Sequence, residues 1–395
     1  MNIRLWMSVG ILFFPMTGFA TEDESVVYDS LDPPEVRSPI PEQYTDAQRQ
    51  FQGIPSLCVT PGGRLWACWY GGGATENGEN YVLVVTSEDQ GETWSEPLFA
   101  IDPAGPVRAY DATTWVDPNG VLWLFWAQSY QWWDGRGGVW CMTTDTPEKK
   151  DAVWSAPRRL CDGIMMNKPT ALSDGRWLFP VSIWRVKPVE DTLKHDLGDR
   201  KNPNVVVSTD HGKTFLTYGA STVPREVSIF DEHSIVERND GSLWMLTRTT
   251  YGIGEAFSTD GGRTWTDTVP SRIPHPSSRF FIRRLRSGNL ILVKNGPIDQ
   301  VTDRRQMTAY LSGDDGATWK GGLILDDRTN VSYPDGDQLP DGTIVVTYDY
   351  DRYHSREILA ARFTESDVLA GRTTSSRGKL RLLINRATGQ MSKPE

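Results

Sequence analysis

One short pattern occurs four times in this chain: Ser-x-Asp-x-Gly-x-Thr followed by an aromatic residue. The copies are residues 87–94, 208–215, 258–265 and 312–319, and a worn fifth copy lies within residues 144–154. In each copy the Asp carboxylate is expected to accept N–H groups of its own loop, while the Gly tolerates a positive φ. With the worn copy included, successive copies lie 50 to 64 residues apart, a spacing typical of propeller and solenoid arrays.

A second repeat consists of a strand, a turn that contains Gly, and an apolar strand. Its six copies are residues 54–70, 111–128, 167–184, 232–249, 279–295 and 333–350. Each copy supplies two strands, and the stretch that ends in the Asp pattern supplies two more. Six units of four antiparallel strands predict an all-β fold, a six-bladed β-propeller. The sixth unit lacks the Asp pattern, so its fourth strand is expected from residues 379–385, from an N-terminal strand, or from both. Residues 365–370 are expected to form one short helical turn.

The N-terminal region and the net charge bear on location and partners. Residues 1–20 read as a secretory signal, because Arg4 precedes an apolar run and a small-residue cleavage site. Residues 21–50 are expected to be an extended lead-in with a strand near residues 26–28, and residues 51–395 to be the propeller. We expect a secreted or periplasmic monomer without membrane insertion after signal cleavage. The net charge of −10 argues against a nucleic-acid partner and favours a glycan or glycoconjugate.

The four cysteines and five histidines show no spacing typical of a zinc site, and no metal or other cofactor is expected. Cys58 and Cys68 flank a predicted turn. They are expected either to form a disulfide across adjacent strands or to remain buried thiols. The same alternatives hold for Cys141 and Cys161.

The residue nine positions before the turn Gly stands at the head of each first strand. The heads are Ile54, Asp111, Glu232, Arg279 and Tyr333, with Asn167 and Lys168 in the shorter third copy. First strands line the channel of a propeller, so these heads should ring one mouth. The ring is either a set of solvated residues that bond one another or a polar pocket for one ligand. Residues 132–136, Trp-Trp-Asp-Gly-Arg, predict a loop at this mouth whose aromatics suit stacking on a sugar.

These features resemble the sialidase (neuraminidase) superfamily over essentially the whole mature chain. Residues 332–344 are similar to the nucleophile strand of that family, which implies Tyr333 as the nucleophile. Glu232, with Arg248 sixteen residues further on, matches the spacing of the family's activating glutamate and one clamp arginine. The segment before the last Asp pattern resembles the one that bears another clamp arginine, and Arg304 is preferred there over its neighbour Arg305.

One departure from the family pattern concerns the substrate clamp. The family's first clamp arginine falls on Gly53 in this chain. We expect Arg279 or Lys168 to lean into that gap. The alternatives are a structural ion pair of Arg279 with a pocket carboxylate and a solvated channel position for Lys168.

A second departure concerns the acid/base residue. The family's aspartate falls on Thr75, and we expect the neighbouring Glu76 to take its role. Glu79 is the second choice. Asp111, which matches a substrate-pocket carboxylate of the family, is the fallback.

The resemblance implies a retaining glycosidase in which a tyrosine attacks the sugar, as in sialidases. A sialoside carries its own carboxylate at the reacting carbon, which would repel a carboxylate nucleophile. A phenol with a pKa of about 10 needs a base, so Glu232 must take its proton. A second acid protonates the leaving oxygen, and arginines grip the substrate carboxylate.

The leading prediction is therefore an exported exo-glycosidase of the sialidase type that acts on a terminal acidic sugar, sialic acid or a related one such as a uronic acid. The alternatives are a non-hydrolytic glycan-binding propeller and a purely structural or protein-interaction propeller. The pair of Tyr333 and Glu232 favours the enzyme, whereas Gly53 and Thr75 favour the glycan-binding alternative.

Overall fold

The computed structural model of the protein describes residues 29–184 and 197–390. Its strands form six antiparallel sheets, each built from strands that are consecutive along the chain except for one added N-terminal strand. The prediction of a six-bladed β-propeller with four-stranded blades is confirmed. The predicted signal segment and the strand expected near residues 26–28 lie outside the described residues.

The first three blades contain thirteen strands. Blade one contains β1 (Glu35–Arg37), β2 (Phe51–Val59), β3 (Leu65–Gly72), β4 (Tyr81–Ser87) and β5 (Phe99–Asp102). Blade two contains β6 (Val107–Val116), β7 (Leu122–Tyr130), β8 (Gly138–Thr144) and β9 (Arg158–Asp162). Blade three contains β10 (Thr170–Ala171), β11 (Trp177–Ser182), β12 (Pro203–Ser208) and β13 (Leu216–Ala220).

The last three blades contain four strands each. Blade four contains β14 (Ser228–Glu237), β15 (Leu243–Thr249), β16 (Gly252–Ser258) and β17 (Val269–Pro270). Blade five contains β18 (Phe281–Arg284), β19 (Leu290–Asn295), β20 (Arg305–Ser312) and β21 (Lys320–Thr329). Blade six contains β22 (Val331–Gln338), β23 (Ile344–Tyr350), β24 (Glu357–Phe363) and β25 (Lys379–Arg386).

Helical structure is confined to short segments. The helix α1 (Glu365–Ala370) begins after Thr364, whose hydroxyl caps it, and ends at Gly371 with φ 66°. This is the predicted helical turn. Two 3-10 turns occupy Glu42–Tyr44 and Gly198–Arg200. No helix in the described ranges has the length and apolar character needed to cross a membrane.

The turn between the first two strands has the same geometry in all six blades. In each turn an N–H donates to the C=O four residues on, as from Thr60 to Arg64 at 2.9 Å and from Leu339 to Thr343 at 2.8 Å. The six turn glycines have φ between 81° and 93°, a region that L side chains rarely adopt. The glycine of the second repeat is therefore a requirement of the backbone.

The Asp patterns form the hairpins between the third and fourth strands of blades one, three, four and five. In one copy, Asp260 Oδ1 accepts from Ser258 Oγ at 2.9 Å and from Thr264 N at 2.9 Å, and Oδ2 accepts from Thr264 Oγ1 at 2.6 Å. Because strand direction alternates in an antiparallel blade, these hairpins lie at the end opposite the strand heads. The worn copy occupies the equivalent hairpin of blade two, where Trp154 packs edge-on against Trp66.

The C-terminal segment closes the ring. Strand β25 pairs with β24 as the fourth strand of blade six, as predicted for residues 379–385. The N-terminal strand β1 pairs instead with β5, as a fifth strand on the outer edge of blade one. The buried Arg49 joins the two regions, because it donates to Asn385 Oδ1 at 2.7 Å and to Tyr44 O at 2.7 Å.

The apolar core is divided among the interfaces between neighbouring blades. Six clusters of buried side chains lie one at each interface, including the one between blades six and one. Inner strands such as β3 and β7 are buried on both faces and therefore read as continuous apolar runs. All four cysteines are free thiols, and in the hairpin of β2 and β3 Cys58 lies opposite Trp66 while Cys68 lies opposite Ser56. The described residues contain no group of three or more side chains suited to hold a metal ion.

Candidate active site

Four of the six first strands are bulged at their heads. The register shifts between Gly53 and Ser56, Tyr110 and Thr113, Ser228 and His233, and Ser332 and Asp335. Within these bulges Ile54, Asp111, Asp231 and Tyr333 have φ between 47° and 58°. Bulges redirect side chains, and positive φ at non-glycine residues is typical of functional sites. The bulged strand heads bring their side chains to one mouth of the channel.

A pocket at this mouth is lined by carboxyl groups and aromatic rings. Three carboxyl groups line it, those of Glu76, Asp111 and Glu232, together with the phenol of Tyr333. Tyr110, Trp132, Trp184 and Phe230 form the aromatic wall. Of the strand-head residues expected to ring the channel mouth, Ile54, Asp111, Glu232 and Tyr333 line this pocket. Arg279, Asn167 and Lys168 are not part of its lining.

A wider cavity of about 330 Å³ lies at the other end of the channel. Among its charged lining side chains Lys168 pairs with Asp335, while Arg283 lies 3.7 Å from Asp337, which is outside the lining. We place the candidate active site at the narrower pocket, because a phenol, three carboxyl groups and several arginines converge there.

Tyr333, Glu232 and Arg248 form the centre of the pocket. Arg248 extends from β15, and its Nη1 donates to Glu232 Oε1 at 2.7 Å and to Tyr333 Oη at 3.0 Å. All three side chains are at least 95% buried. The phenol and the carboxylate are thus held at one guanidinium nitrogen, although they lie 101 residues apart in the chain.

The protonation state of this centre follows from burial and charge. Burial raises the pKa of Tyr333 and Glu232 raises it further, while Arg248 opposes the rise. Tyr333 is therefore a neutral phenol at neutral pH. Glu232 Oε2 is buried and accepts no hydrogen bond from the part of the chain that the structure describes. Tyr333 Oη and Glu232 Oε1 thus share one donor, and no hydrogen bond joins the phenol directly to Glu232 among the described residues.

Arg304 and its neighbour Arg305 lie in different surroundings. The guanidinium carbon of Arg304 lies 5.2 Å from the centroid of the Tyr333 ring, and no ion pair of Arg304 is found within residues 29–184 and 197–390. Arg305 pairs with Asp303 at 2.9 Å, and half of its side chain is exposed. Of the two, Arg304 is the one at the pocket.

Asp111 lies within the bulge of β6, as the fifth residue of that strand, with 2% exposure. Burial raises the pKa of Asp111 to about 8, with a further rise from Glu232 and a partial compensation by Arg108. The group is therefore mostly a neutral carboxylic acid at pH 7, which can donate a hydrogen bond to a ligand oxygen.

Glu76 and Glu79 lie on the loop between β3 and β4. Glu76 lines the pocket and its Oε1 accepts from Arg352 at 3.0 Å. Glu79 is exposed, and its carboxylate is turned back toward Asn77 at 3.2 Å. Only Glu76 of this pair is placed among the pocket side chains.

The structure places Arg279 and Lys168 below the pocket, not beside Gly53. Lys168 pairs with Asp335, and Arg279 lies 3.4 Å from the same carboxylate. Arg279 also donates to Asn167 Oδ1 at 2.8 Å and to the carbonyl oxygens of two further residues. The expectation that one of these cations leans into the gap at Gly53 is corrected, because their donors are committed to this buried network.

The side chain that occupies the gap is Arg352, from the loop between β23 and β24. A Cβ atom on Gly53 would lie only 2.2 Å from Arg352 Cδ. The guanidinium carbon of Arg352 lies 4.9 Å from the centroid of the Tyr333 ring. Sequence reasoning missed Arg352 because this loop belongs to neither repeat. The sequence signal that could have pointed to a replacement arginine was Gly53, which stands where the family has its first clamp arginine.

The loop of residues 132–136, predicted to lie at the channel mouth, places one tryptophan in the pocket and buries the other in the core. Trp132 lines the pocket and lies near-parallel to Trp184, with 6.4 Å between ring centroids. Trp133 is fully buried and donates to Trp184 O at 3.0 Å. Asp134 accepts from Ser30 Oγ at 3.1 Å, so the N-terminal segment holds this loop. Only Trp132 of the two tryptophans is available to a ligand.

Solved structures with the same fold include sialidases. A Hadza microbial sialidase is 19% identical with a TM-score of 0.63, covering 80% of this chain and 66% of that one. The leech intramolecular trans-sialidase complexed with 2,7-anhydro-Neu5Ac is 15% identical with a TM-score of 0.63, covering 88% and 71%. A protein of unknown function from Dyadobacter fermentans is 17% identical with a TM-score of 0.61, covering 79% and 93%. At these identities the likeness shows the fold.

Sequence relatives agree with the fold. A sialidase of Micromonospora viridifaciens is 26% identical over 336 residues, which cover 75% of this chain. The chain spans about half (49%) of the length of that relative. The family model described as BNR repeat-like domain matches residues 63–346, and the chain therefore belongs to the BNR repeat-like domain family.

Proposed function

We propose that the protein is a retaining exo-glycosidase of the sialidase type, which hydrolyses a terminal acidic sugar from a glycan. The observation that carries this proposal is the single Arg248 nitrogen that donates to both Tyr333 and Glu232 in a buried pocket. The similarity to the Micromonospora viridifaciens sialidase supports the same reaction class.

In the first step Tyr333 Oη attacks the anomeric carbon while Glu232 accepts the phenolic proton. The bond from that carbon to the leaving oxygen breaks, and Glu76, which enters this step protonated and released from its ion pair with Arg352, gives that oxygen its proton. Arg248 stabilises the negative charge that develops on Oη, because its fixed donor acts in a site with little water. Glu76 suits the acid role by its position on the loop at the pocket mouth, where the rest of the glycan extends.

In the second step water attacks the anomeric carbon and Glu76 takes its proton. The bond to Tyr333 breaks, and Glu232 returns the proton to the phenolate. Two displacements at one carbon retain the anomeric configuration. Asp111, as a neutral acid, donates to a sugar hydroxyl, and it is the fallback proton donor.

The substrate in this proposal carries a carboxylate. Arg248 and Arg304 approach the Tyr333 phenol and its ring face, where the reacting carbon of the sugar would lie. A planar guanidinium matches a carboxylate with two parallel hydrogen bonds. Sialic acid fits this requirement, and a related acidic sugar such as a uronic acid shares the carboxylate. Export of the protein is proposed from the signal-like residues 1–20.

The test is a panel of 4-methylumbelliferyl glycosides, with sialoside, uronide and neutral sugars, incubated with purified protein. We expect hydrolysis of an acidic glycoside, with retention of configuration in an NMR time course. Hydrolysis of neutral glycosides alone contradicts the proposal. Binding of acidic glycans without turnover would identify a glycan-binding propeller instead.

A further inference from the structure

Gly53 and Arg352 share one volume at the edge of the pocket. A Cβ atom on Gly53 would lie 2.2 Å from Cδ and 2.6 Å from Cγ of Arg352. Gly53 belongs to β2 and lies opposite Tyr70 in the sheet, and it is not among the residues with positive φ. The backbone conformation therefore does not require a glycine here; a Cβ atom is opposed by the Arg352 side chain and, less closely, by Asp349 Oδ2 at 3.1 Å.

Arg352 is directed at the same phenol as the two pocket arginines already described. Its guanidinium carbon lies 4.9 Å from the centroid of the Tyr333 ring, compared with 5.2 Å for Arg304. Arg248 approaches the oxygen of the same ring at 3.0 Å. Three guanidinium groups from three different loops or strands thus converge on one side chain.

The guanidinium of Arg352 is only partly used by the protein. Its Nη1 donates to Glu76 Oε1 at 3.0 Å, and no further hydrogen bond from it reaches a described residue. Its Nε lies 3.8 Å from Asp349 Oδ2, too far for a hydrogen bond. Asp349 already accepts from Ser332 Oγ at 2.6 Å and from Ile54 N at 2.9 Å. Donors of Arg352 therefore remain for an anionic ligand.

We infer that Arg352 binds the carboxylate of the substrate together with Arg248 and Arg304, from the volume that Gly53 leaves open. The inference rests on the proposed function and names a specificity residue outside both sequence repeats. It also explains why a glycine stands at position 53: the cation comes from blade six instead of blade one.

The test measures binding of a 2,3-unsaturated sialic acid analogue and of its methyl ester by isothermal titration calorimetry. Arg352→Ala is expected to weaken binding of the acid about 10- to 100-fold, as for loss of one charge-assisted hydrogen bond. Binding of the ester should change less than about threefold, because the ester presents no charge to the guanidinium. Equal losses for acid and ester would overturn the inference.

The shared volume is tested by substitutions at Gly53. Gly53→Ala should displace Arg352 and weaken binding of the acid, yet cost nothing further in an Arg352→Ala background. Gly53→Arg in that same background is expected to recover at least about tenfold of the lost affinity, since it returns one charge-assisted hydrogen bond to the same volume. Additive losses in the Gly53→Ala double variant would contradict a shared volume.

Two further variants, Glu76→Gln and Arg304→Ala, distinguish failure of the inference from failure of the proposed function. Glu76→Gln leaves Arg352 in place but removes its carboxylate partner, so it should bind the acid at least as tightly as the wild type. An equal loss in Glu76→Gln and Arg352→Ala would mean that Arg352 acts through Glu76, which overturns the inference. If Arg304→Ala discriminates acid from ester and Arg352→Ala does not, the inference fails while the proposed function stands. If the wild type binds neither compound, sialic acid is not the substrate and the inference fails, while hydrolysis of a uronide in the glycoside panel would keep the proposed function.

Discussion

Arg248 Nη1 lies 3.0 Å from Tyr333 Oη and donates a hydrogen bond to it, and the same nitrogen donates to Glu232 Oε1 at 2.7 Å. A guanidinium keeps its charge at any working pH. It can therefore stabilise a phenolate as it forms and hold the base beside it. Burial nevertheless raises the pKa of Tyr333 overall, so attack by Oη requires a base.

The first prediction concerns Tyr333 as nucleophile. A fluorinated substrate analogue that slows the second step should add the mass of one sugar to the peptide that contains Tyr333, as read by mass spectrometry. Tyr333→Phe keeps the ring and its packing, so it should abolish retaining turnover while Tm changes by only a few degrees. Glu232→Gln should slow formation of the intermediate about 10²- to 10⁴-fold, the usual contribution of a general base. Inversion of configuration by the wild-type protein would rule this mechanism out.

The second prediction concerns the charge of the substrate. Arg304→Ala should raise KM for an acidic glycoside about 10- to 100-fold, because one charge-assisted contact is lost. The methyl ester of the same glycoside should be affected far less. Arg305→Ala is the matched control, since Arg305 is half-exposed and pairs with Asp303, and it should leave both KM values unchanged. Equal effects of Arg304→Ala on acid and ester would show that Arg304 does not contact the carboxylate.

The third prediction concerns the Asp hairpins as structural elements. Asp260→Ala should lower Tm by several degrees and leave KM unchanged, because among the described residues Asp260 accepts hydrogen bonds only within its own hairpin. Asp145→Ala in the worn copy is the control, and it should have little effect on Tm. The pKa of Asp260 is lowered chiefly by the hydrogen bond from the Thr264 side chain. The stabilisation that the Asp260 carboxylate gives to the fold is therefore present above a pH of about 4 and is lost as the pH falls. An altered KM without a fall in Tm would contradict a structural role.

The fourth prediction concerns the pH dependence of stability. The pKa of Asp111 is about 8 in the folded protein because of burial, whereas an unfolded Asp titrates near 3.9. Its ionisation therefore destabilises the fold progressively as pH rises from about 4 to about 8. Asp111→Asn should match the wild type in Tm near pH 4 and be more stable at pH 9, by roughly 1–3 kcal/mol.

The opposite profile is expected at Asp335, which provides the matched control. Burial alone would raise the pKa of Asp335, but Lys168 and Arg279 lower it overall. Asp335→Asn should therefore destabilise the protein most at neutral pH, and the difference from the wild type should shrink below pH 4. A Tm difference for Asp111→Asn that stays constant from pH 4 to pH 9 would contradict a raised pKa at that position.

The sequence by itself determined the number of blades, the location of the turns and the identity of the central pair. This was possible because turn chemistry is local. The glycine at φ near 90° and the Asp carboxylate that bonds residues three and four positions on are specified within eight residues. Alignment on those turns then placed Asp111, Glu232 and Tyr333 at equivalent heads, and the structure brings these three side chains into one pocket.

Only the tertiary structure decided which cations face the ligand pocket. Arg279 and Lys168 occupy head positions, yet Asp335 holds both of them in the channel below. Arg352 belongs to no repeat, and it lies beside Tyr333 of its own blade in a volume that Gly53 of blade one leaves open. The direction of a long side chain depends on which carboxylate and which free volume lie across a blade interface. Those neighbours lie from 56 positions (Arg279 and Asp335) to 299 positions (Gly53 and Arg352) apart along the chain, and no local pattern records them.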